Sequence, residues 1–192
     1  MNTNLYTPSR GKATRYEYEL KIINFLNDNK KKLGEHCLEI SGDTHIFTNY
    51  FKKKTIASFP EIDAHNLPYK DNTYDCVIFN QVLEHVKKPW VCVNEAHRVL
   101  KKGGIIILIS PFIYQFHEYP NDYWRFTEEG MGILVEKFEK ILLKGRSGNV
   151  KLLQHMIKYP NDRRSVEMKK LQLLDKKYQE KYFVNSHIIA QK

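Results

Sequence analysis

The spacing of apolar positions changes several times along the chain, and each change marks an element. After a polar lead-in over residues 1–12, Tyr16, Leu20, Ile23 and Leu26 recur at helical spacing. They predict a helix over residues 13–33, closed by a lysine run and Gly34. Residues 36–41 form a short apolar stretch suited to a strand and broken at Gly42. Residues 43–52 suit a second helix with Ile46, Tyr50 and Phe51 inward. Residues 55–58 predict a short strand that Pro60 ends, and residues 74–80 a buried one. Trp90, Val93, Ala96 and Leu100 make one helical stripe, with Trp90, Val93 and Leu100 assigned to the core. Residues 101–104 act as its stop signal, Gly103-Gly104 serving a tight turn, and the strand 105–110 follows at once. Beyond an aromatic-rich segment come a helix over about 127–138 and a strand at 141–144. A charged helical pattern over 151–181 is interrupted at Pro160, and a closing strand spans 183–190. Strands and helices alternating at these lengths predict a parallel sheet flanked by helices.

A length of 192 residues suits one domain. Residues 1–34 form its helical lead-in, and 145–182 a helical insertion or lid. A composition of 42% hydrophobic and 28% charged residues is ordinary for a soluble globular chain. No apolar run approaches the roughly 18 residues of a membrane span, and residues 1–10 lack the apolar core of a secretory signal. A cytoplasmic setting is therefore expected. Cys37, Cys76 and Cys92 are odd in number and widely spaced, with neither disulfide nor zinc-ligand spacing, so no metal site is expected. The formal net charge of +9 is spread over separate lysine clusters at 30–32, 52–54, 169–170 and 176–177. Solvated helix faces explain such dispersal better than a nucleic-acid interface, although a basic face would attract anionic substrates. The oligomeric state is left open.

Residues 62–77 carry Asp63, Leu67-Pro68-Tyr69, Asp71 and Tyr74-Asp75 in order. Val82-Leu83-Glu84-His85-Val86 and Arg98-Val99-Leu100-Lys101-Lys102-Gly103-Gly104 follow. Together these motifs resemble the class I S-adenosylmethionine-dependent methyltransferases, of the methyltransferase type 11-like kind. Residues 117–127, with His117-Glu118-Tyr119-Pro120 and Asp122-Tyr123-Trp124-Arg125, resemble a bacterial subgroup associated with polysaccharide and small-molecule biosynthesis. The resemblance covers about residues 37–138. It implies an α/β fold of the Rossmann-like doubly wound type: a mostly parallel sheet, flanking helices and an antiparallel closing strand. It also implies S-adenosylmethionine as cofactor.

In such sheets ligands bind beyond the carboxyl ends of the strands, where strand order reverses. The turn Glu39-Ile40-Ser41-Gly42 should therefore border the cofactor. By resemblance, Glu39 faces the methionine ammonium and Asp63 accepts from the adenine amino group, with the backbone of Ala64 nearby. An orienting acid at a strand end and a turn-capping aspartate are the structural alternatives. Asn80 and Gln81 should line the same crevice, unless they merely end a strand in polar residues. His117 is the first candidate base and His85 the second, since an adjacent Glu84-His85 pair on a helix would point in different directions. Tyr123, Trp124 and Arg125 are candidate substrate contacts, the guanidinium suited to an anion. Alternatively, the aromatics pack a lid and Arg125 pairs with Asp122 or Glu128.

The pattern departs from the family in two places. The turn after the first strand keeps only Gly42 where several glycines are usual, with Asp43 and His45 in place of small residues. No acid directly follows the second strand to hold the ribose, and Glu61 stands a little further on. The leading expectation is methyl transfer to an oxygen of a sugar, nucleotide sugar or other small molecule. A non-catalytic subunit on the same fold and a methyltransferase acting on RNA are the alternatives.

Overall fold

A computed structural model of the protein describes residues 13–42, 46–159 and 181–192. Six strands form one sheet: β1 (His36–Ile40), β2 (Lys53–Ala57), β3 (Tyr74–Asn80), β4 (Leu100–Pro111), β5 (Lys140–Ser147) and β6 (Asn185–Gln191). Their order is β2-β1-β3-β4-β6-β5. β1 to β4 are parallel, and β6 runs antiparallel to both of its neighbours. The chain winds outward from β1 to β2, then restarts on the other side of β1 with β3 and β4. Strand order therefore reverses between β1 and β3, as in a Rossmann-like doubly wound sheet.

The helices are α1 (Ala13–Asp28), α2 (Pro89–Val99), α3 (Glu128–Leu134) and α4 (Val150–Lys158). Side chains alternate across the central strands and feed two cores. Leu38, Val77, Phe79, Ile106, Leu108 and Ile188 pack on one face with Cys92, Val93 and Ala96 of α2 and Met131 of α3. Cys37, Cys76, Ile78, Ile107 and Ile189 pack on the other with Tyr18, Ile22 and Leu26 of α1. This two-sided burial is why the strands read as apolar runs and not as alternating ones. All three cysteines are free and buried. Among the described residues no helix is long and apolar enough to cross a membrane.

Several elements differ from expectation for identifiable reasons. The buried stripe of α1 is Arg15, Tyr18, Glu19, Ile22 and Leu26, rotated from the apolar stripe because two polar residues lie on the inward face. Within residues 46–52, where a helix was expected, a 3-10 turn spans Thr48–Tyr50, with Phe47 and Phe51 as its buried anchors. Asp43 and His45 lie outside the described residues. β2 begins two residues earlier than expected, and β5 runs three residues past the predicted strand end. Residues 145–147 thus belong to the sheet and not to an insertion. α4 fills part of that insertion, and residues 160–180 lie outside the described set. α3 is shorter than expected because Thr127 caps it and Val135 ends it.

Residues 101–104 do not separate helix from strand. β4 begins at Leu100, opposite Tyr74, and the next partners are Cys76 and Ile105, so one residue faces four. Gly103 takes φ +79°, and a Cβ on Gly104 would lie 2.9 Å from the Lys101 carbonyl oxygen. The glycines thus permit a wide bulge inside a strand. Lys101 Nζ ties the bulge to Asp75 at 2.8 Å. Trp90 is 48% exposed, one position off the buried face formed by Pro89, Cys92, Val93, Ala96 and Val99.

His187 on β6 sits between Ile109 and Gly145. A Cβ on Gly145 would lie 3.0 Å from its Nε2, and neither ring nitrogen has a hydrogen-bond partner. Burial pushes its pKa down to about 3, with Lys21 adding to the effect. In the unfolded chain the ring takes a proton near its ordinary value of about 6.5, so proton binding then favours unfolding. Stability should fall as pH drops from about 6.5 toward 3, by up to ~1.4 kcal/mol per pH unit from this group. Urea unfolding of wild type and His187→Leu across that range should give a shallower pH slope in the variant. Parallel slopes would refute the assignment.

Candidate active site

The crevice opens where β1 and β3 end side by side. The Ser41 amide still donates to the Ala57 carbonyl (2.7 Å), and the Gln81 amide to that of Ile109 (2.9 Å). Each strand is therefore paired one residue beyond its end. There the backbone enters the left-handed region, at φ +51° for Ser41 and +60° for Gln81, and turns away. Such a conformation costs a non-glycine residue about 1–2 kcal/mol, and here it occurs on both sides of the point of reversal. Glu39 is 2% exposed beneath this turn. A Cβ on Gly42 would fall 2.1 Å from the Glu39 Cδ and 2.5 Å from Oε2. The one glycine retained in the turn is the one the carboxylate beneath it requires.

Asn80 and Gln81 also border the crevice but are tied into its wall. Tyr18 Oη donates to Asn80 Oδ1 at 3.3 Å, and Gln81 Nε2 donates to Asn185 Oδ1 at 3.0 Å. Asn185 Nδ2 donates in turn to the Thr14 carbonyl (2.8 Å), joining β3, β6 and α1.

The loop from β2 to β3 carries Glu61, Asp63 and Ala64. Glu61 is exposed and Ala64 buried. Asp63 Oδ1 accepts from the His65 amide (2.9 Å) and from His65 Nδ1 (2.6 Å). Partial burial works against its ionisation, but the His65 bonds prevail and hold the pKa below the usual carboxylate value. His65 Nε2 accepts from the Lys88 amide at 3.1 Å, just before α2. The turn-capping geometry is thus present, and both of its bonds fall on Oδ1. Arg98 of α2 fastens the rest of the loop: its guanidinium donates to the carbonyls of Leu67 (2.9 Å) and Tyr69 (2.7 Å) and to Asp71 (2.7 Å). Glu95 orients the guanidinium with bonds of 2.9 and 2.8 Å and accepts from the Leu67 amide at 2.9 Å.

The opposite wall comes from the 3-10 turn Leu83–His85 and the segment after β4. Glu84 is completely buried: Oε2 accepts from Ser110 Oγ at 3.0 Å, while Oε1 has no hydrogen-bond partner. Burial raises its pKa to about 7, with its own amide and Ser110 opposing the shift. His85 Nε2 lies 3.7 Å from Oε1, so the adjacent pair converges where helical geometry would have separated it. His117 meets His85 edge to face, with ring centroids 4.8 Å apart. Burial lowers the His117 pKa, which keeps the ring neutral at neutral pH. Arg125 is bidentate on Asp122, donates to the carbonyls of Trp124 (2.8 Å) and Gln115 (3.2 Å), and draws the Asp122 pKa down to about 2. Asp122 also accepts from the His117 amide at 2.8 Å. Trp124 is partly buried, with Nε1 donating to the Val86 carbonyl at 3.0 Å, whereas Tyr123 is 47% exposed. Sequence reasoning weighed Glu84 only as the neighbour of His85 and did not assign roles to Ser110, Arg98 or Asn185. For Arg98, the Glu95 one helical turn before it was the available signal.

With this geometry the chain can be set beside known proteins. The sequence match is to the methyltransferase domain family, over residues 31–108. The match covers less than half of the chain, and the fold is one that S-adenosylmethionine-dependent methyltransferases share. Relatives include a ubiquinone/menaquinone biosynthesis C-methyltransferase of Ruegeria sp. (strain TM1040), 40% identical over 31% of this chain and 22% of its own length. A protein of the same name from Rhizobium meliloti (strain 1021) is 27% identical over 69% of this chain and 52% of its own length. The chain thus spans only part of the length of these curated relatives. A crystal structure of an S-adenosylmethionine-dependent methyltransferase from Archaeoglobus fulgidus superposes with a TM-score of 0.58 at 14% identity. The superposition covers 91% of this chain and 94% of that one. In this methyltransferase fold the Arg98 clamp sets the path of the loop carrying Asp63. Arg98→Ala should cost about 2–3 kcal/mol in urea unfolding, from lost bonds to charged and backbone groups. A loss within about 0.5 kcal/mol of zero would mean that the clamp contributes nothing.

Proposed function

We propose that the protein transfers the methyl group of S-adenosylmethionine to an oxygen of a small, ring-bearing acceptor. The observation that carries this reading is the fit of Gly42 over the Glu39 carboxylate at the point of strand-order reversal, where an added Cβ would displace that carboxylate. A buried acid there suits an ammonium group, and Asp63 and Ala64, on the next loop, suit the adenine edge. Ser41, Asn80 and Gln81 border the space between them, and Glu61 is the acid nearest the role of ribose partner. When bound, S-adenosylmethionine supplies an electrophilic methyl group on a sulfonium. The chain's own part is to orient the acceptor and remove its proton. Both His117 and His85 donate Nδ1–H to main-chain carbonyls, of Gln115 (3.2 Å) and Asn121 (2.6 Å), which leaves Nε2 as the basic nitrogen. Either ring can take a hydroxyl proton there. The exposed Phe116, Tyr119 and Tyr123 offer faces for an acceptor ring, of a sugar or of an aromatic compound. Arg125 acts chiefly by holding the segment in shape through Asp122.

A second reading, methylation at a ring carbon of a quinone-type acceptor, is favoured by the names of the matched relatives. A non-catalytic role and RNA methylation are the remaining outcomes. Calorimetric titration should give micromolar binding of S-adenosylmethionine and S-adenosylhomocysteine, weakened at least about tenfold in Gly42→Ala. No binding by the folded wild type would overturn the proposal in favour of a non-catalytic subunit. With binding in hand, product masses from sugar, phenol and demethylated-quinone acceptors distinguish oxygen from carbon methylation. RNA affinity falling steeply with salt would point to RNA instead.

A further inference from the structure

The convergence of Glu84, His85 and His117 exceeds what a general base requires. Each offers one ligand atom, and the three atoms lie within 4.8 Å of one another. Each imidazole has its Nδ1 against a main-chain carbonyl, which can only accept, so the lone pair rests on Nε2. Ligating histidines are generally oriented in this way, through an outer hydrogen bond on the second nitrogen. The third donor, Glu84 Oε1, is buried and has no hydrogen-bond partner, while its sister oxygen is fixed by Ser110. Arg125, the nearby cation, is neutralised by its bidentate pairing with Asp122. With Glu84 ionised and both imidazoles neutral, the pocket carries one net negative charge.

We propose that Glu84, His85 and His117 form a binding site for a divalent first-row cation such as Zn²⁺, with a coordination position open toward the acceptor. Two nitrogens and one carboxylate oxygen are a donor set such ions favour. Bonds of about 2.0–2.2 Å at tetrahedral angles set ligand atoms roughly 3.4 Å apart, so the widest pair must close by about an ångström when the ion binds. The ion's catalytic use rests on the methyl-transfer reading, but its binding does not. An acceptor hydroxyl ligated there releases its proton to solvent at neutral pH and keeps the electron pair on oxygen. That pair forms the O–CH₃ bond as the sulfonium S–CH₃ bond breaks, its electrons passing to sulfur. While the ion is bound, both imidazoles are ligands and neither acts as the base.

The test uses the full chain without S-adenosylmethionine and titrates it with Co²⁺ and with Zn²⁺. The expected result is one tight equivalent per chain, with a visible Co²⁺ absorption band typical of nitrogen ligation that Zn²⁺ displaces. His85→Ala, His117→Ala and Glu84→Gln should each weaken binding by about tenfold or more. Circular dichroism checks that each variant is folded. If Glu84→Gln is not, the two more exposed histidines decide alone. No binding by wild type, or equal binding by wild type and the histidine variants, overturns the site. S-adenosylhomocysteine titration of the same samples separates that failure from failure of the methyl-transfer reading.

Discussion

Burial of the central sheet on both faces constrains everything else in this molecule. With α1 over one face and α2 and α3 over the other, the side chains of β1, β3 and β4 are committed to two apolar cores. Polar chemistry can then enter only where strands end, and the reversal of order between β1 and β3 is where such sheets open a crevice. The backbone accepts left-handed conformations at Ser41 and Gln81 to leave the sheet sharply at that opening. Glu39 belongs to a strand but lies close enough to its end that its carboxylate meets the turn rather than the core.

The two walls of the crevice are built by different means. The β1 and β2 side is shaped by backbone: a glycine fitted over a carboxylate, and a loop whose carbonyls are gathered by Arg98. The β4 side is shaped by side chains, with Glu84, Ser110, Asp122 and Arg125 locking one another and, through them, two imidazoles. The main chain of Glu84 joins this wall together, since its carbonyl accepts from the amides of Tyr123 (2.7 Å) and Trp124 (3.3 Å). This division suits a protein that reads an invariant ligand on one side and a particular one on the other. Backbone geometry tolerates few substitutions, whereas the exposed Phe116, Tyr119 and Tyr123 can vary without disturbing the sheet.

Much of the fold was legible because buried parallel strands announce themselves. The boundaries of Tyr74–Asn80 and the apolar run at 105–110 follow directly from composition. The stripe of α1 was misjudged because Arg15 and Glu19 point inward, which an apolar count does not register. The bulge at 101–104 has the same residues as a helix stop followed by a turn, and only the pairing of β3 with β4 distinguishes the two. The β1 and β2 side of the crevice was legible from short local motifs. The β4 side was legible only as a roster of residues, because Glu84 and His117 are 33 positions apart and the loop between β4 and α3 brings them together.

That distance in sequence also bears on what Glu84 is for. A carboxyl group buried without a partner for one oxygen costs stability, and replacing it with an apolar residue of similar size would generally relieve that cost. Its surroundings do not minimise the cost. Ser110 satisfies one oxygen, Arg125 is diverted to Asp122, and the nearest imidazole nitrogen stands 3.7 Å from the other, beyond hydrogen-bond distance. A group kept only to hold the loop would be expected to have both oxygens bonded, because the loop is already held by the Glu84 carbonyl and by the Asp122–Arg125 pair. The unsatisfied oxygen lies instead beside the two imidazoles, on the β4 side of the crevice. The strain is therefore concentrated where a ligand can relieve it, which is the arrangement expected of a working site and not of a structural one.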